Sequence, residues 1–207
     1  MIEIEGENIS HYYTEKAINL EERQKVINFK INDKEFNLKT NSGVFSKDGL
    51  DFGSRLLLEE LLKLNVKSVL EVGCGYGAIA LPYAYFNPET KILAVDINER
   101  AIDLAKLNAR TMKLKNIEIK KSNLYQNIAC NFEMIFSNPP IRAGKKVTYE
   151  IYEKALGHLE LNGFLIIVIQ KKQGAPSAAE KLKSIFGNVE VVNQKKGYVV
   201  LKSIKMV

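Results

Sequence analysis

The sequence predicts an α/β protein with a doubly wound, mostly parallel sheet of seven strands, and three observations lead to this fold class. From residue 68 onward, strand-like and helix-like segments alternate, which implies a parallel sheet covered by helices on both faces. The uninterrupted apolar run from Phe164 to Ile169 is typical of a central strand buried on both faces. A hairpin-length loop from Asn193 to Gly197 joins the last two predicted strands, so the last strand should run antiparallel.

The individual elements follow from local patterns in chain order. Ile27, Phe29 and Ile31 alternate with polar residues and are followed by the turn-forming pair Asn32-Asp33, which predicts a short N-terminal β-hairpin. The predicted sheet strands are residues 68–72, 92–96, 117–121, 134–137, 164–169, 189–193 and 198–204. The predicted helices are residues 53–64, 77–86, 98–114, 145–160 and 175–186. We therefore expect an N-terminal extension with the hairpin at residues 1–42 and a main domain at residues 43–207.

The composition excludes several classes of protein. The chain has 207 residues, 46% hydrophobic and 26% charged, as is ordinary for a globular domain. Two cysteines, Cys74 and Cys130, cannot form a disulfide framework, and neither His11 nor His158 has metal-ligand spacing to them. The acidic start lacks the pattern of a signal peptide, and no apolar run approaches the ~20 residues of a membrane span. We therefore expect a soluble cytoplasmic protein that holds no metal.

Charge is distributed unevenly along the chain. The net formal charge is +6, but residues 104–207 alone carry 18 basic and 7 acidic residues. They include four lysine pairs, Lys120-Lys121, Lys145-Lys146, Lys171-Lys172 and Lys195-Lys196. A solvated surface explains any one pair, whereas the asymmetry between the two halves favours a surface for a polyanion such as nucleic acid.

A glycine-rich loop follows the first predicted sheet strand. Gly73, Gly75 and Gly77 stand at alternate positions there, which permits a tight turn and a close approach of the backbone to a ligand. Asp96 lies nineteen residues past Gly77, at the end of the next strand, where an acid can hold ribose hydroxyls. A dinucleotide site would need its third glycine one residue later. Glu71, just before the loop, would repel a pyrophosphate but suits a cationic ligand.

These residues resemble the glycine-rich motif of class I S-adenosylmethionine-dependent methyltransferases. The resemblance implies a Rossmann-like fold, S-adenosylmethionine as the cofactor, contacts of Gly73–Gly77 with its methionyl part and contacts of Asp96 with its ribose. Asn123 stands where the family carries an acid near the adenine amine, and its amide oxygen can accept the same hydrogen bond. Cys74 is interpreted as a small loop residue and not a nucleophile, because no base adjoins it. The predicted cofactor-binding residues are Glu71, Gly73, Cys74, Gly75, Tyr76, Gly77, Asp96, Ile97, Asn123, Leu124 and Asn138.

The segment Asn138-Pro139-Pro140, at the end of a predicted strand, is the candidate catalytic motif. Two prolines fix φ and remove two backbone donors. The Asn138 side-chain oxygen and the Pro139 carbonyl are thereby left to accept from the two N–H groups of an exocyclic amine. Holding both hydrogens directs the nitrogen lone pair at the methyl group, so positioning and fixed dipoles carry the catalysis without a strong base. A rigid turn that ends the strand is the alternative interpretation.

The motif resembles the Asn-Pro-Pro-aromatic signature of amino methyltransferases that act on adenine N6, guanine N2 or glutamine N5. Ile141 replaces the usual aromatic residue, so stacking on the base would come from elsewhere, for example from Phe45 or Tyr76. Phe45 is also placed to close over the cofactor, and Asp51 to meet its ammonium group.

The wider sequence resembles a short, single-domain branch of the small-subunit rRNA guanine-N2 methyltransferases. The resemblance is carried by residues 43–54, 138–146 and 170–176, and it extends over roughly residues 11–205. It implies an RNA partner, 16S rRNA or the small ribosomal subunit, whereas the oligomeric state is left open.

The predicted function is therefore S-adenosylmethionine-dependent N-methyl transfer to an exocyclic amine of RNA, preferably guanine N2 of small-subunit rRNA. Adenine N6, a protein glutamine and DNA adenine are the alternative targets. A non-catalytic RNA-binding or cofactor-sensing module on the same fold is the alternative class. Arg142 and Lys145 are expected to contact phosphate. The predicted catalytic residues are Asn138, Pro139 and Pro140, and the predicted substrate-binding residues are Phe45, Ile141, Arg142, Lys145 and Lys146.

Overall fold

The strands form two separate sheets in the computed structural model, which describes residues 25–41, 49–140 and 144–207. The first is an antiparallel hairpin of β1 (Lys25–Ile31) and β2 (Lys34–Thr40). The second has seven strands, which are β3 (Ser68–Val72), β4 (Lys91–Asp96), β5 (Ile117–Lys121), β6 (Phe132–Ser137), β7 (Leu159–Gln170), β8 (Glu190–Lys195) and β9 (Tyr198–Ile204). The five helices of the described residues are α1 (Phe52–Leu61), α2 (Ala80–Phe86), α3 (Glu99–Thr111), α4 (Lys145–His158) and α5 (Ala175–Phe186).

The seven-stranded sheet has the order β5-β4-β3-β6-β7-β9-β8. Strand β3 pairs in parallel with β4 on one side and β6 on the other, and β9 runs antiparallel to both β7 and β8. The central position of β7 is reflected in Ile166 and Ile167, which are both fully buried. The predicted fold class, including the antiparallel last strand, is confirmed.

The strand order reverses direction at β3. The chain runs outward from β3 through β4 to β5 and then returns to place β6 on the other side of β3. In open parallel sheets the ligand binds beyond the carboxyl ends of the strands at such a reversal. The loops that follow β3, β4, β5 and β6 therefore surround the expected site.

The predicted hairpin is confirmed, and it packs against the main domain. Ile31 and Leu38 are buried on its inner face, within the hydrophobic cluster that includes Leu56 of α1 and Leu104 of α3. On α3, the Asn108 side chain accepts from the Lys39 N–H at 2.8 Å and donates to the Lys39 carbonyl at 3.0 Å. Strand β2 is therefore fixed to α3 by both apolar packing and hydrogen bonds.

Predicted boundaries were wrong in four helices, of which α1 and α3 end three residues earlier than predicted, at Leu61 and Thr111. Helix α2 begins at Ala80 and not at residue 77, because Gly75 and Gly77 adopt positive φ angles of 56° and 90° that a helix does not accept. Helix α4 ends at His158, and β7 begins at the next residue, earlier than the predicted start at residue 164. The turn-forming pair Asn162-Gly163 lies inside this long strand, opposite a register shift in β6.

The loop between the last two strands is shorter than predicted. Lys195 pairs with Tyr198, which leaves only Lys196 and Gly197 in the turn, with φ angles of 48° and 79°. Left-handed angles at both positions match the right-handed twist of the flanking strands, so the two-residue turn replaces the expected longer loop.

The described residues lack two features that would point to a membrane or a metal. Within residues 25–41, 49–140 and 144–207, no helix combines the length and apolarity required to cross a membrane. Across the same part of the chain, no three His, Cys, Asp or Glu side chains are grouped as metal ligands.

Candidate active site

The ends of β3 and β6 are joined by a buried side chain at the reversal point. The Ser137 hydroxyl, at the end of β6, donates to the Val72 carbonyl at the end of β3 with a distance of 2.7 Å. Ser137 is fully buried, so this bond is shielded from water. It fixes the glycine loop after Val72 and the proline motif after Ser137 relative to one another.

The glycine loop turns sharply over the end of β4. The N–H groups of Gly73 and Cys74 both donate to the Val95 carbonyl, at 2.8 and 2.9 Å. Gly73 and Gly75 have φ angles of 81° and 56°, and no atom lies within 4 Å of where a Cβ would be at either residue. The loop is therefore held by its own backbone, with open space beside both glycines into which a ligand fits.

Asp96 is tied to the glycine loop, and its predicted contact with the cofactor ribose stays a prediction. Its Oδ2 accepts from the Gly75 N–H at 2.8 Å, and its Oδ1 accepts from the Asn98 N–H at 2.9 Å. Burial raises the pKa of Asp96, while hydrogen bonds from the backbone of Asn98, Gly75 and Ile97 partly oppose the rise. The next side chain, Ile97, is apolar yet 38% exposed. An acid that can accept from hydroxyls, followed by an exposed apolar surface, fits a ribose with an attached adenine.

Glu71 is directed toward helix α2. It is 2% exposed, and its Oε2 accepts from the Ala80 N–H at 3.0 Å, in the first turn of the helix. Burial raises the pKa of Glu71 well above the usual range, and the nearby Asp96 carboxylate adds to the effect. One carboxyl oxygen thus satisfies a helix-terminal donor, a structural role that the sequence did not predict. The predicted contact of Glu71 with the cofactor stays a prediction.

Two residues within the loop are buried. Cys74 is 3% exposed, and burial together with the nearby Asp96 and Glu71 carboxylates raises the pKa of its thiol well above the usual range. A thiol that is protonated and enclosed is a poor nucleophile, in agreement with its interpretation as a small loop residue. Tyr76 is 2% exposed and belongs to the main hydrophobic cluster. The suggestion that Tyr76 stacks on a base was therefore wrong, because its ring is packed inside the protein.

The backbone of the loop is also fixed from α3. The Asn108 side-chain nitrogen donates to the Tyr76 carbonyl at 3.1 Å while it bonds Lys39 of β2. Asn108 thus links the hairpin, helix α3 and the glycine loop. The sequence offered no signal for this role beyond a polar residue on the apolar face of a predicted helix.

The loop after β5 contains Asn123 and Leu124. Asn123 is exposed and lines an open depression of about 700 Å³ together with Tyr125 and His158, whose rings are stacked at 4.8 Å. Leu124 has a φ of 53°, and its carbonyl accepts from the Ser122 hydroxyl at 3.0 Å. The depression has no lining residue in the glycine loop, so the contact of Asn123 with the adenine amine stays a prediction.

Asn138 lies beyond the end of β6, and its side-chain nitrogen donates to the Ser54 Oγ at 2.9 Å. The Ser54 hydroxyl in turn donates to the Asp51 Oδ2 at 2.6 Å, while the Asp51 Oδ1 accepts from the Ser54 N–H at 3.0 Å. Asp51 is therefore the N-cap of α1, and both of its carboxylate oxygens bind Ser54. The sequence did not predict this capping role, and the expected contact of Asp51 with a cofactor ammonium group stays a prediction. Pro139 is buried and Pro140 half-buried.

Sequence reasoning missed Ser54 as a partner of Asn138. The available signal was an acid three residues before a serine at the start of an apolar helix, which is a capping pattern. That pattern predicts the Asp51–Ser54 bond but not the contact of Ser54 with a residue 84 positions away.

The predicted substrate-binding residues are only partly within the described chain. Phe45, Ile141 and Arg142 lie outside the described residues. Lys145 and Lys146 begin α4 at the same end of the sheet as Asn138, and both are exposed.

The sheet order, the glycine loop with Asp96 and the proline motif together define a class I methyltransferase domain. The methyltransferase small domain family matches residues 35–202 of this chain. The chain therefore belongs to that family. This membership confirms the predicted enzyme class and its S-adenosylmethionine cofactor.

The chain is similar in sequence to a protein called uncharacterized and to an rRNA methyltransferase. The chain is 46% identical over 199 residues to the Bacillus subtilis (strain 168) protein called Uncharacterized protein YbxB, covering 95% of this chain and 98% of that protein. It is 35% identical over 170 residues to Ribosomal RNA small subunit methyltransferase C of Erwinia tasmaniensis, covering 80% of this chain and 48% of that protein. The chain thus spans about half the length of the curated rRNA methyltransferase that it matches.

A solved structure has the same fold. It is the T. thermophilus 16S rRNA N2 G1207 methyltransferase (RsmC) in complex with AdoMet and guanosine, with a TM-score of 0.80 and 23% identity. The likeness covers 92% of this chain and 53% of the T. thermophilus chain.

Proposed function

We propose that this protein transfers a methyl group from S-adenosylmethionine to an exocyclic amine of RNA, namely guanine N2 of 16S rRNA in the small ribosomal subunit. The observation that carries the proposal is the position of Asn138-Pro139-Pro140 beyond β6, joined through Ser137 to the strand that bears the glycine loop. Similarity to Ribosomal RNA small subunit methyltransferase C supports the choice of rRNA, and the AdoMet and guanosine bound by the T. thermophilus protein support guanine.

The residues beyond β3 and β4 suit the cofactor. S-adenosylmethionine supplies an electrophilic methyl group on a sulfonium centre. Backbone groups of Gly73 and Gly75 would hold its amino-acid part in the space beside the loop, and the Asp96 carboxylate would accept from its ribose hydroxyls. The exposed Ile97 side chain would offer its adenine an apolar contact.

The residues beyond β6 suit an amine that needs no strong base. The Asn138 Oδ1 and the Pro139 carbonyl accept the two amine hydrogens and thereby direct the nitrogen lone pair toward the methyl group. No proton transfer is required before the attack, because the amine nitrogen attacks with its own lone pair. The methyl–sulfur bond breaks as the nitrogen–carbon bond forms, S-adenosylhomocysteine leaves, and the extra proton on the nitrogen passes to water.

The distribution of lysines supports a polyanionic substrate. Lys145-Lys146 follow the proline motif, Lys171-Lys172 follow β7, and Lys195-Lys196 occupy the end of β8 and the adjoining turn. All six lysines, which we call the basic rim, are exposed, and no carboxylate of the described residues lies within ion-pair distance of them. The Lys171 N–H donates to the Gly197 carbonyl at 2.7 Å, so two of the pairs are adjacent.

The fourth pair differs. Lys120 and Lys121 form ion pairs with Glu118 and Glu99, at 2.8 and 2.7 Å. Their charge is locally neutralised, whereas that of the basic rim is available for phosphates beside the candidate active site.

The test is transfer of labelled methyl from S-adenosylmethionine to small ribosomal subunits from a strain that lacks this protein, followed by nucleoside mass spectrometry. We expect label in N2-methylguanosine. Label in N6-methyladenosine would keep the reaction type and correct the base. Naked DNA and release-factor-type proteins are assayed in parallel, and label only in DNA or in protein glutamine would refute the RNA substrate. No label in any of these substrates, with intact cofactor binding, would indicate a non-catalytic module.

A further inference from the structure

We infer that Asp51 and Ser54 are positioning residues that set the orientation of the Asn138 side-chain amide, so that its oxygen and not its nitrogen faces the substrate amine. The inference rests on the proposed function for the role of that oxygen. Hydrogen bonds join Asp51, Ser54 and Asn138 in series, and we call these three residues the triad. The Asp51 Oδ1 lies 3.0 Å from the Ser54 nitrogen, and the Asp51 Oδ2 lies 2.6 Å from the Ser54 Oγ. The Asn138 Nδ2 lies 2.9 Å from the same Ser54 Oγ.

The direction of the triad follows from proton counting. A serine hydroxyl has one proton, and the Ser54 proton is engaged by the Asp51 Oδ2 at 2.6 Å. An ionised carboxylate only accepts, so the hydroxyl cannot turn this bond around. What Ser54 presents to Asn138 is therefore a lone pair. The Asn138 side-chain nitrogen must therefore donate to this lone pair, and the Asn138 Oδ1 points away from Ser54.

Each member of the triad is held in place independently. Ser54 is 4% exposed, and its own N–H is bound by the Asp51 Oδ1 at the start of α1. At the neighbouring Gly53, a Cβ would lie 2.8 Å from the Tyr198 ring, so the helix start is pressed closely against β9. Asn138 follows Ser137, which is bonded to Val72. The donor and acceptor are thus fixed from opposite sides before a substrate arrives.

The orientation has a chemical consequence. An exocyclic amine presents N–H donors, so it needs an acceptor at the position of the amide. If the amide were inverted, its N–H groups would face those of the substrate, and the lone pair of the amine would lose its direction. A charged partner at the far end of the triad also strengthens the Asn138–Ser54 bond by polarising the hydroxyl.

The decisive variant is Asp51→Asn. Asparagine is as good an N-cap as aspartate, so α1 is expected to remain intact. The new amide keeps an oxygen for the Ser54 N–H but presents a donor where the Oδ2 stood. The Ser54 proton is then released toward Asn138, whose amide inverts. Ser54→Ala removes the lone pair instead and leaves the amide without a preferred orientation.

Two measurements test the role of the triad, and only the second requires a substrate. The first is the nuclear Overhauser effect between the Asn138 side-chain amide protons and the Ser54 β-protons, with the amide assigned by its loss in Asn138→Ala. We expect it in the unaltered protein and expect it to weaken in Asp51→Asn. Its absence from the unaltered protein would overturn the triad, whether or not the protein methylates RNA.

The second measurement is methyl transfer to small ribosomal subunits. We expect kcat to fall about a hundredfold in Asp51→Asn, with the melting temperature unchanged, and about tenfold in Ser54→Ala, with cofactor affinity unchanged. Asp103→Asn and Ser184→Ala, both at exposed positions on α3 and α5, serve as matched controls. Unchanged kcat in Asp51→Asn would overturn the positioning role. If the unaltered protein shows the nuclear Overhauser effect but transfers no methyl group, the proposed function is refuted and the triad is retained.

Discussion

At the scale of single residues, Asp96 is the residue on which we expect cofactor affinity to depend. Its carboxylate already accepts two backbone N–H groups, and it must remain ionised to accept hydroxyls as well. Because burial raises the pKa of Asp96, protonation on acidification begins at a higher pH than for an exposed aspartate.

The resulting prediction concerns Asp96→Asn. Loss of a charge-assisted hydrogen bond costs about 1.5–3 kcal/mol, so the affinity for S-adenosylmethionine should fall by about ten- to a hundredfold at neutral pH. Calorimetric titrations at several pH values should show affinity that decreases on acidification in the unaltered protein and stays flat in the variant. Equal pH dependence in both proteins would assign the titration to another group.

Some of the predicted site residues have a local signal in the sequence, and their contacts with the cofactor stay predictions. Asp96 was identified by its spacing from the glycine loop, and the loop glycines by their alternation. The burial of Tyr76 and the contact of Asn138 with Ser54 depend on how distant segments pack. A single sequence carries no periodicity that reports a contact across 84 residues.

At the scale of elements, the start of α2 depends on Glu71. The helix has no side-chain bond at its N-cap, and the Glu71 carboxyl from β3 supplies an acceptor to Ala80 instead. Keeping this carboxyl in a buried site raises its pKa well above the usual value of 4.5, which means that burial disfavours its charged form.

Glu71→Gln should therefore stabilise the protein at neutral pH, because glutamine keeps an oxygen for Ala80 and carries no charge. The folded protein holds the Glu71 proton to higher pH than the unfolded chain does. Stability of the unaltered protein thus decreases as pH rises from about 4.5 through the folded pKa. The difference in melting temperature should be small below that range and grow above it, by roughly 2–4 °C per kcal/mol. A variant less stable at every pH would contradict the account.

Element boundaries were predicted least well where a turn residue was accommodated inside an element. Asn162-Gly163 has the composition of a loop, yet it lies within β7 as an irregularity, because the neighbouring backbone of β6 approaches too closely for a Cβ at Gly163. The parallel direction of most strands was predicted well, because alternation of strand and helix patterns is a property of long segments.

At the scale of the whole molecule, the six lysines of the basic rim lie at the end of the sheet that holds the candidate active site. Lys145→Gln/Lys146→Gln should weaken RNA binding and reduce the slope of log affinity against log salt by about 1.5. Lys67→Gln/Lys91→Gln, at the opposite ends of β3 and β4, is the matched control and should leave the slope unchanged. Equal slopes for both variants, measured by fluorescence anisotropy, would remove the basic rim from RNA binding.

The central claim is that the Asn138 amide, beside the glycine loop, activates an exocyclic amine by position alone. The most direct measurement compares the unaltered protein with Asn138→Ala for both methyl transfer to small ribosomal subunits and calorimetric affinity for S-adenosylmethionine. The account predicts that transfer is abolished while affinity stays within about threefold, because the amide contributes to the reaction and little to cofactor binding. Near-normal turnover in Asn138→Ala would contradict it.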